Sequence, residues 1–375
     1  MSGTSLDGVD YALCDVSLDS IHLVEHWQVS FPKALRDRLQ RAANGTATSH
    51  ETGQLHHDLG RFYARHSGKG NRHPQLAALH GQTVFHRTVG SSPATLQIGE
   101  PAYLAEALRV PVISNFRAAD IAAGGQGAPL ATLFHQRVFQ QPGKHVCINN
   151  LGGISNVTSL DVSTARPRIL SFDTGPANML LDLAMIDLSG GRTRLDFDGA
   201  CAARGTPSEP LVRSWLQHQF FRRSPPKSTG REEFGEVFYA NARREFRRRG
   251  LSKYDVLATL TALTARSIAY NYQRHLRRPP DLLVLTGGGA RNISLRQMIT
   301  WEVKKLNPRV EVKSTADFGW PEESIEASAF ALLAYHRWNG IPGNLPETTG
   351  ARRSVLLGQI AEAGPDRKSE SPGKR

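Results

Sequence analysis

The first ten residues carry small and acidic residue types that suit an anion-binding turn. They read MSGTSLDGVD and run directly into an apolar stretch that begins at Tyr11. Glycines such as Gly3 and Gly8 expose backbone N–H groups, and neighbouring N–H groups in a turn bind phosphate oxygens. Asp7 and Asp10 supply carboxylates of the kind that hold Mg²⁺ directly or through water. No Gly-Lys-Ser/Thr follows, so this is not a Walker loop. The alternative is a flexible polar segment before a strand.

Two further glycine-rich turns join predicted strands. One contains Gly152 and Gly153, between two apolar runs, and the other contains Gly287, Gly288 and Gly289 after the run 282–285. A glycine turn that follows a strand and precedes a helix is a typical nucleotide-binding arrangement. Each turn alone is more simply explained as a tight turn. Three such turns in one chain that alternates strands and helices favour phosphoryl transfer.

Polar residues between these turns have the chemistry of a carbohydrate site. They are His80 and Gln97 near predicted strand ends, followed by Arg117, Asp120 and Gln126. Sugar hydroxyl groups require several fixed hydrogen-bond donors and acceptors, and a guanidinium can bind a carboxylate or phosphate through two hydrogen bonds. For His80 a buried structural role remains an equal alternative.

An aspartate at position 173 has the residue type and setting of a general base. It lies in the sequence FDTGPAN, after the strand-like run 169–171 and before a predicted helix. A carboxylate that leaves a strand beside a Gly-Pro turn can face a ligand, and partial burial raises its pKa towards the useful range. The alternative is a helix cap, in which Asp173 or Thr174 binds the first amides of the following helix.

Alternating strand-like and helical patterns predict an α/β fold with largely parallel sheets. The predicted strands are 11–18, 76–79, 110–114, 145–149, 156–160, 168–171, 281–285 and 309–312. The predicted helices are 33–42, 50–67, 102–108, 130–140, 179–188, 234–249, 256–276, 294–305 and 325–339. The Pro-Gly pair at 142–143 is a plausible boundary between two halves.

Composition limits the location and the partners of the chain. The 375 residues contain three widely spaced cysteines, Cys14, Cys147 and Cys201, which give neither a disulfide framework nor metal-ligand spacing. No apolar run is long enough to span a bilayer and no secretory signal is recognisable, so we expect a cytoplasmic protein without membrane partners. The net charge of +12 arises largely from local arginine clusters and a basic tail. Without interleaved aromatic residues these clusters indicate a solvated face rather than nucleic-acid binding.

Together, these segments resemble the anhydro-N-acetylmuramic acid kinase family, within the superfamily of sugar kinases, actin and the heat-shock chaperone ATPases. The similar segments run in order from residue 1 to about residue 360: MSGTSLDGVD, HGQTVFH, QIGE, NFRAADIAAGGQGAPL, NLGGISN, SFDTGPANMLLD, LTGGGARN, IEASAFALLA, GNLPETTGA and VLLGQI. The resemblance implies two actin-like, ribonuclease H-like domains with mixed central sheets, flanked by helices and separated by a cleft that binds ATP and Mg²⁺. It also implies an unusual reaction, in which water opens the 1,6-anhydro ring of the sugar and O6 receives the γ-phosphoryl group. The product, N-acetylmuramic acid 6-phosphate, belongs to peptidoglycan recycling.

The resemblance also assigns roles to residues. Asp173 corresponds to the family's base. Residues of the first turn correspond to the ATP-phosphate loop, and 287–289 correspond to the adenosine side. The ATP-binding set is Gly3, Thr4, Ser5, Leu6, Asp7, Gly8, Val9, Asp10, Gly152, Gly153, Gly287, Gly288, Gly289 and Asn292, with Asp7 as the Mg²⁺ ligand. The sugar-binding set is His80, Gln97, Arg117, Asp120, Gln126 and Glu326.

Three features depart from the family pattern. Family members normally carry a short apolar strand before MSGTS, so we expect that upstream codons, if restored, raise stability and kinase activity. Ala177 stands where the family usually has glycine, and Ile325 stands where it often has lysine. The second change weakens the assignment of Glu326 to the sugar.

The resemblance further implies a domain arrangement and an oligomeric state. We expect domains at 1–141 and 142–340, a segment 341–362 that returns to the first domain, a disordered tail at 363–375, and a possible homodimer. Three other functions remain open: a kinase of another anhydro sugar such as levoglucosan, a non-catalytic actin-like ATP-binding protein, and a glycoside hydrolase. The hydrolase would require a second carboxylic acid to protonate the leaving oxygen.

Overall fold

The chain folds into two compact units in a computed structural model that describes residues 1–3, 6–68, 72–87, 93–164 and 167–364. The first unit comprises residues 1–137 together with the segment from Ser324 onward, and the second comprises 138–323. The boundary at 137/138 lies beside the Pro-Gly pair at 142–143. Thr4, Ser5 and most of the predicted disordered tail lie outside the described residues.

The described residues form mixed α/β structure. The strands are β1 (Gly8–Val16), β2 (Ile21–Ser30), β3 (Ala77–Leu79), β4 (Gln82–Arg87), β5 (Ala94–Ile98), β6 (Val112–Ser114), β7 (His145–Leu151), β8 (Ile154–Asp161), β9 (Arg168–Pro176), β10 (Leu282–Thr286), β11 (Glu311–Ser314) and β12 (Gln359–Ala361). The helices are α1 (Lys33–Ala43), α2 (Ser49–His66), α3 (Ala102–Leu108), α4 (Ala118–Ala122), α5 (Thr132–Phe139), α6 (Asn178–Leu188), α7 (Glu209–Trp215), α8 (Gln219–Arg222), α9 (Arg231–Phe234), α10 (Glu236–Arg248), α11 (Lys253–His275), α12 (Ile293–Leu306), α13 (Ile325–Trp338) and α14 (Pro346–Thr349). Among them no helix is long and apolar enough to cross a membrane.

The second unit is built on one five-stranded sheet with the order β11-β10-β7-β8-β9. Strands β11, β10 and β7 are parallel, whereas β7, β8 and β9 form an antiparallel meander. The register places Thr286, Asn150, Asn156 and Asp173 in one row across four strands. Because directly opposed residues share a face of the sheet, this row forms a polar line near the ends of β7, β9 and β10.

Helix α11 is buried along most of its length, and its C-terminal half packs against this sheet. Its N-terminus is fixed by a capping box between Ser252 and Asp255, which satisfies two otherwise unpaired backbone amides. Ala265, Ile268 and Tyr272 of the helix join the apolar cluster that contains Phe172. The helix therefore fixes the strand that carries Asp173 from behind.

The first unit contains smaller sheets and a central helix. Strands β1 and β2 form an antiparallel hairpin, β12-β6-β3 form a three-stranded sheet, and β4 and β5 form a second hairpin. Helix α13 packs against β1 and β3, and its Phe330, Leu333 and Ala334 enter an apolar cluster with Ile113 and Phe116. This cluster supports the loop that carries Arg117.

The α/β fold class with mixed sheets flanked by helices is confirmed, and each predicted helix is present with ends shifted by at most about three residues. Two predictions are wrong. The sheets are not largely parallel, because hairpins dominate both units. Strand β9 does not stop at residue 171 but continues through Asp173 to Pro176. Strands β2, β4, β5 and β12 were not predicted.

Candidate functional site

Asp173 lies in the interior of β9 and is not a helix cap. The register between β8 and β9 shifts between Ser155 and Asn156, which leaves Thr174 as an extra residue on β9. Such a bulge bends a strand and redirects its side chains. Gly175 follows with a φ of +135°, a conformation that few other residues adopt. Helix α6 begins later and is preceded by Ala177, so neither Asp173 nor Thr174 caps it.

One oxygen of the Asp173 carboxylate is bound and the other is available. Oδ2 accepts a hydrogen bond from the backbone N–H of Thr229 at 2.8 Å, and the backbone N–H of Asp173 donates to the carbonyl of Lys227 at 3.0 Å. Oδ1 accepts no hydrogen bond from a residue that the structure describes. The pKa of Asp173 is raised to about 7, chiefly by burial and to a smaller extent by the charge of Glu232, while the Thr229 amide and Lys227 oppose the rise. This is the pKa range in which a carboxylate works as a general base.

A buried polar network lies beneath the bulge. Thr174 donates to Ser155 Oγ at 2.6 Å, Asn149 donates to the same oxygen at 2.7 Å, and Tyr272 donates to Asn149 at 2.9 Å. Asn271 of the same helix donates to the Thr174 carbonyl at 2.8 Å. Buried networks of this kind rigidify the backbone that they bind. Sequence reasoning missed them, since only the Asn149 side of the network lies next to a recognised turn.

At Gly152 and Gly153, neither the backbone conformation nor the surrounding packing requires glycine. Their carbonyls accept hydrogen bonds of 3.0 to 3.1 Å from the amides of Ala177, Asn178 and Met179. The N–H groups of both glycines donate to no described residue. A Cβ added at either position would meet no atom closer than 3.4 Å, and neither glycine has a positive φ. The turn therefore offers exposed amides with room for a ligand beside them.

The second glycine turn divides into structural and open positions. Gly287 has a φ of +78°, and a Cβ there would lie 2.2 Å from Asn150; a Cβ at Gly289 would lie 2.8 Å from Leu151. A Cβ added at Gly288 would have no atom within 4 Å. Asn292 caps α12, because its Oδ1 accepts a 2.9 Å hydrogen bond from the amide of Leu295.

In the first unit the N-terminal turn combines core and surface residues. Leu6 and Val9 are buried in the apolar cluster of this unit, and a Cβ at Gly8 would lie 2.5 Å from the carbonyl of Val29. The Gly3 carbonyl accepts a 3.0 Å hydrogen bond from Gln82. Asp7 is exposed. Fold packing thus accounts for Leu6, Gly8 and Val9.

Arg117 and His80 form a fixed pair in the first unit. Arg117 Nε donates to His80 Nε2 at 3.0 Å, and Nη1 donates to the Gly127 carbonyl at 2.6 Å. His80 Nδ1 lies 2.8 Å from the Gly81 carbonyl, so the proton resides on Nδ1. Burial lowers the pKa of His80 well below its usual value, and Arg117 lowers it further. A neutral His80 thus orients the guanidinium of Arg117.

Other sugar-site candidates divide between occupied and open side chains. Asp120 is fully buried and its carboxylate accepts hydrogen bonds of 2.7 Å from Gly127, Asn344 and Thr349. Gln97 donates to Thr95 Oγ1 at 2.7 Å on strand β5. The Gln126 amide donates to the Thr349 carbonyl at 2.8 Å, which fixes the backbone beside Arg117.

Glu326 and Asp10 are electrostatically linked in the same unit. Asp10 accepts a 2.9 Å hydrogen bond from Gln28. Burial raises its pKa to about 6, and the nearby Asp7 and Glu326 contribute to the rise. The Glu326 side chain is exposed to solvent, yet desolvation by the surrounding protein raises its pKa, and the charge of Arg117 opposes this rise. Across the described residues, no group of three His, Cys, Asp or Glu side chains is placed to hold a metal ion.

The structure therefore gathers the candidates into two sets. In the second unit, Asp173 shares a polar row with residues beside both glycine turns. In the first unit, the charged side chains of Arg117, Glu326 and Asp10 form a set together with the neutral His80. The fold and these sets define a mixed α/β protein with exposed turn amides and a partly buried carboxylate of raised pKa.

Comparison with known proteins identifies the family. The sequence matches the family model described as anhydro-N-acetylmuramic acid kinase over residues 1–363. It is 42% identical to the anhydro-N-acetylmuramic acid kinase of Cyanothece sp. (strain PCC 7425) over 374 residues, covering 96% of this chain and 97% of the relative. It is 41% identical to that of Microcystis aeruginosa, covering 96% of this chain and 98% of the relative. The chain belongs to the anhydro-N-acetylmuramic acid kinase family, which confirms the resemblance seen in the sequence.

Solved structures show more distant similarity. The activator of 2-hydroxyisocaproyl-CoA dehydratase from Clostridium difficile, with bound ADPNP, is 12% identical and superposes with a TM-score of 0.41, covering 88% of this chain and 96% of that chain. At this TM-score the similarity carries no conclusion about ligands.

Proposed function

We propose that this protein is an ATP-dependent kinase that opens the 1,6-anhydro ring of anhydro-N-acetylmuramic acid with water and phosphorylates O6. The product is N-acetylmuramic acid 6-phosphate, an intermediate of peptidoglycan recycling. Family membership supports this reaction. The structural observation that carries it is Asp173, a partly buried carboxylate with one oxygen held by the Thr229 amide and the other available.

Asp173 acts as the base towards the attacking water. Oδ1 accepts a proton from water as the water oxygen bonds to the anomeric carbon, and the bond between that carbon and O6 breaks. A pKa near 7 lets the carboxylate be ionised at neutral pH and still take up the proton. O6 is captured by phosphorus, so no second carboxylic acid is needed to protonate it, in contrast to the glycoside hydrolases.

The glycine turns bind the nucleotide through backbone amides. Gly152, Gly153 and Gly288 support this role, since packing and φ leave their lack of a side chain unexplained. A phosphate oxygen that approaches an amide N–H closely would collide with a Cβ, and glycine removes that obstacle. Gly287, Gly289 and Asn292 act indirectly, by holding the turn and the start of α12.

The carboxylates of the first unit fit a magnesium ion that also binds phosphate. Mg²⁺ normally uses one or two protein carboxylates and completes its shell with water and substrate phosphates. Asp7, Asp10 and Glu326 lie close enough for Asp7 and Glu326 to raise the pKa of Asp10, and like charges that oppose one another favour a bound cation. When bound, the ion neutralises charge on the transferred phosphoryl group. We propose Asp10 together with Asp7 as its ligands.

The sugar is bound by the first unit through Arg117, with Glu326 as a hydrogen-bond acceptor. His80 and the Gly127 carbonyl accept hydrogen bonds from Nε and Nη1 of the guanidinium. Nη2 therefore remains for an anionic group such as the lactyl carboxylate. Asp120 positions the Gly127 loop and does not contact the sugar, since three protein donors occupy it.

A single assay tests the function. ADP release is measured with anhydro-N-acetylmuramic acid, with levoglucosan and without sugar. The mass of the sugar product is determined by mass spectrometry. We expect sugar-dependent ADP release and a product heavier by one phosphoryl group (net HPO₃) and one water. Faster turnover of levoglucosan would contradict the proposed substrate. Ring opening without ATP would contradict the proposed kinase activity.

Location and assembly follow the same proposal. The cysteines Cys14, Cys147 and Cys201 are free thiols, which suits a reducing cytoplasm. We also propose a homodimer, which light scattering of the purified protein tests by a mass of twice the 41.2 kDa chain.

A further inference from the structure

We propose that Thr229, Glu233 and Arg223 form a relay that positions the carboxylate of Asp173. None of the three touches the reacting atoms, so each is a positioning residue. The catalytic consequence rests on the function proposed above, whereas the effect on the carboxylate itself does not.

The relay begins at the backbone of Thr229. Its N–H donates to Asp173 Oδ2 at 2.8 Å, and its hydroxyl donates to Glu233 Oε2 at 2.7 Å. The same Glu233 oxygen accepts a 3.1 Å hydrogen bond from Arg223 Nη1, and the other carboxylate oxygen pairs with Nη2 of this arginine. The ion pair of Glu233 and Arg223 thus holds the Thr229 side chain, and through it the direction of the Thr229 N–H.

The need for such a relay arises from the place of β9 in the sheet. Strand β9 lies at the edge of its sheet, so no strand among the described residues pairs with its outer N–H and C=O groups. The segment 227–229 takes that place: the Lys227 carbonyl accepts from the Asp173 N–H at 3.0 Å, and the Thr229 amide binds the carboxylate. Main chain and side chain of Asp173 are therefore both held by one loop.

Lys227 anchors the other end of this loop. Its side chain is only 7% exposed, and its ammonium lies 4.5 Å from the ring centre of Phe220 and 3.4 Å from the Phe220 carbonyl. It forms no ion pair with a carboxylate of a described residue. Burial lowers its pKa to about 8. The charge of Lys227 lowers the pKa of the Asp173 carboxyl, so this residue contributes a favourable charge as well as the carbonyl that accepts from the Asp173 N–H.

The test compares Thr229→Val with Thr229→Ser. Valine keeps the shape and backbone N–H of threonine but loses the hydroxyl, whereas serine keeps both donor groups. We expect Thr229→Val to lower kcat about tenfold with an unchanged KM for ATP, because a small misplacement of a catalytic group is costly. Thr229→Ser should remain close to wild type. Glu233→Gln should fall between them, since its amide oxygen still accepts from Thr229 but no longer pairs with Arg223 as a charge. Arg222→Ala is the matched control, because it removes an exposed arginine next to Arg223, at the end of α8.

A pH titration separates positioning from general loosening of the fold. The Thr229 amide lowers the pKa of Asp173, so a weakened hydrogen bond must raise that pKa and move the acidic limb of kcat to higher pH. The same rise should appear in the ¹³C carboxyl titration of Asp173, assigned with Asp173→Asn, which requires no turnover. The relay would be overturned if Thr229→Val left both the Asp173 pKa and the acidic limb of kcat unshifted. It would also be overturned if Thr229→Ser lost as much kcat as Thr229→Val. If the wild-type protein showed no sugar-dependent turnover, only the proposed reaction would be contradicted. The titration of Asp173 would still test the relay.

Discussion

The backbone N–H of Thr229 binds Oδ2 of Asp173 across 56 residues of sequence. This hydrogen bond leaves Oδ1 as the oxygen that can take a proton. It also stabilises the ionised carboxylate against the effect of burial, which would otherwise raise the pKa of Asp173 above about 7. The reactivity of the aspartate is thus determined by a loop as much as by its own strand.

Asp173→Asn should abolish most of the sugar-dependent ADP release. An amide cannot accept the proton of the attacking water, and general bases contribute about 10²- to 10⁴-fold to rates. We expect a loss in that range with unchanged ATP affinity, measured by coupled ADP assay and calorimetry. Asp161→Asn is the control, since Asp161 lies in the same sheet at the other end of β8. Turnover retained in Asp173→Asn would refute the assignment of the base.

The same substitution should stabilise the fold at alkaline pH. The folded-state pKa of Asp173 is raised from 3.8 to about 7, so the folded protein holds this proton more tightly than the unfolded chain does. The ionised carboxylate therefore costs stability as pH rises from about 4 to 7, and the cost is complete above pH 7. The full shift corresponds to roughly 4 kcal/mol at 1.36 kcal/mol per unit, and we expect on the order of 1 kcal/mol after relaxation and water access. Thermal unfolding should show a higher Tm for Asp173→Asn at pH 8 and equal values near pH 4. A lower Tm at pH 8 would contradict the raised pKa.

Neighbouring glycines should respond in opposite ways to alanine. Gly288→Ala meets no atom within 4 Å, so the free energy of unfolding should stay within about 0.5 kcal/mol of wild type, while the KM for ATP rises. Gly287→Ala introduces a Cβ 2.2 Å from Asn150 at a φ of +78° and should cost about 1–3 kcal/mol. Urea unfolding and ATP titration separate the two effects. An unchanged KM in Gly288→Ala would argue against a nucleotide at this turn.

Arg117→Lys should impair sugar binding although it keeps the charge. Lysine cannot donate to His80 and to the Gly127 carbonyl in the planar geometry that the guanidinium uses. We expect the KM for the sugar to rise at least about tenfold, with the KM for ATP unchanged. Arg109→Lys, at an exposed arginine that pairs with Glu106, should leave both constants unchanged. Equal increases in both KM values would indicate a general disturbance of the fold.

Local sequence signals predicted the helices well. The periodic apolar residues that predicted them involve neighbours in the chain. The capping boxes of Thr48 with Glu51 and of Ser252 with Asp255, which were not among the predicted features, begin α2 and α11. Strands β4 and β5 were not predicted because each has only one buried side chain, so no alternation of buried and exposed residues marks them.

The sequence alone determined the fold class and the family, and it located the glycine turns and the aspartate that we propose as the base, since these depend on residue types and short spacings. The tertiary structure decided how each residue can act. Asp120 is saturated by Asn344 and Thr349, which lie more than 200 residues away in sequence, and Asp173 is oriented by Thr229. Hydrogen bonds between distant segments form only when the chain is folded, and for a buried carboxylate they decide which oxygen remains free to react.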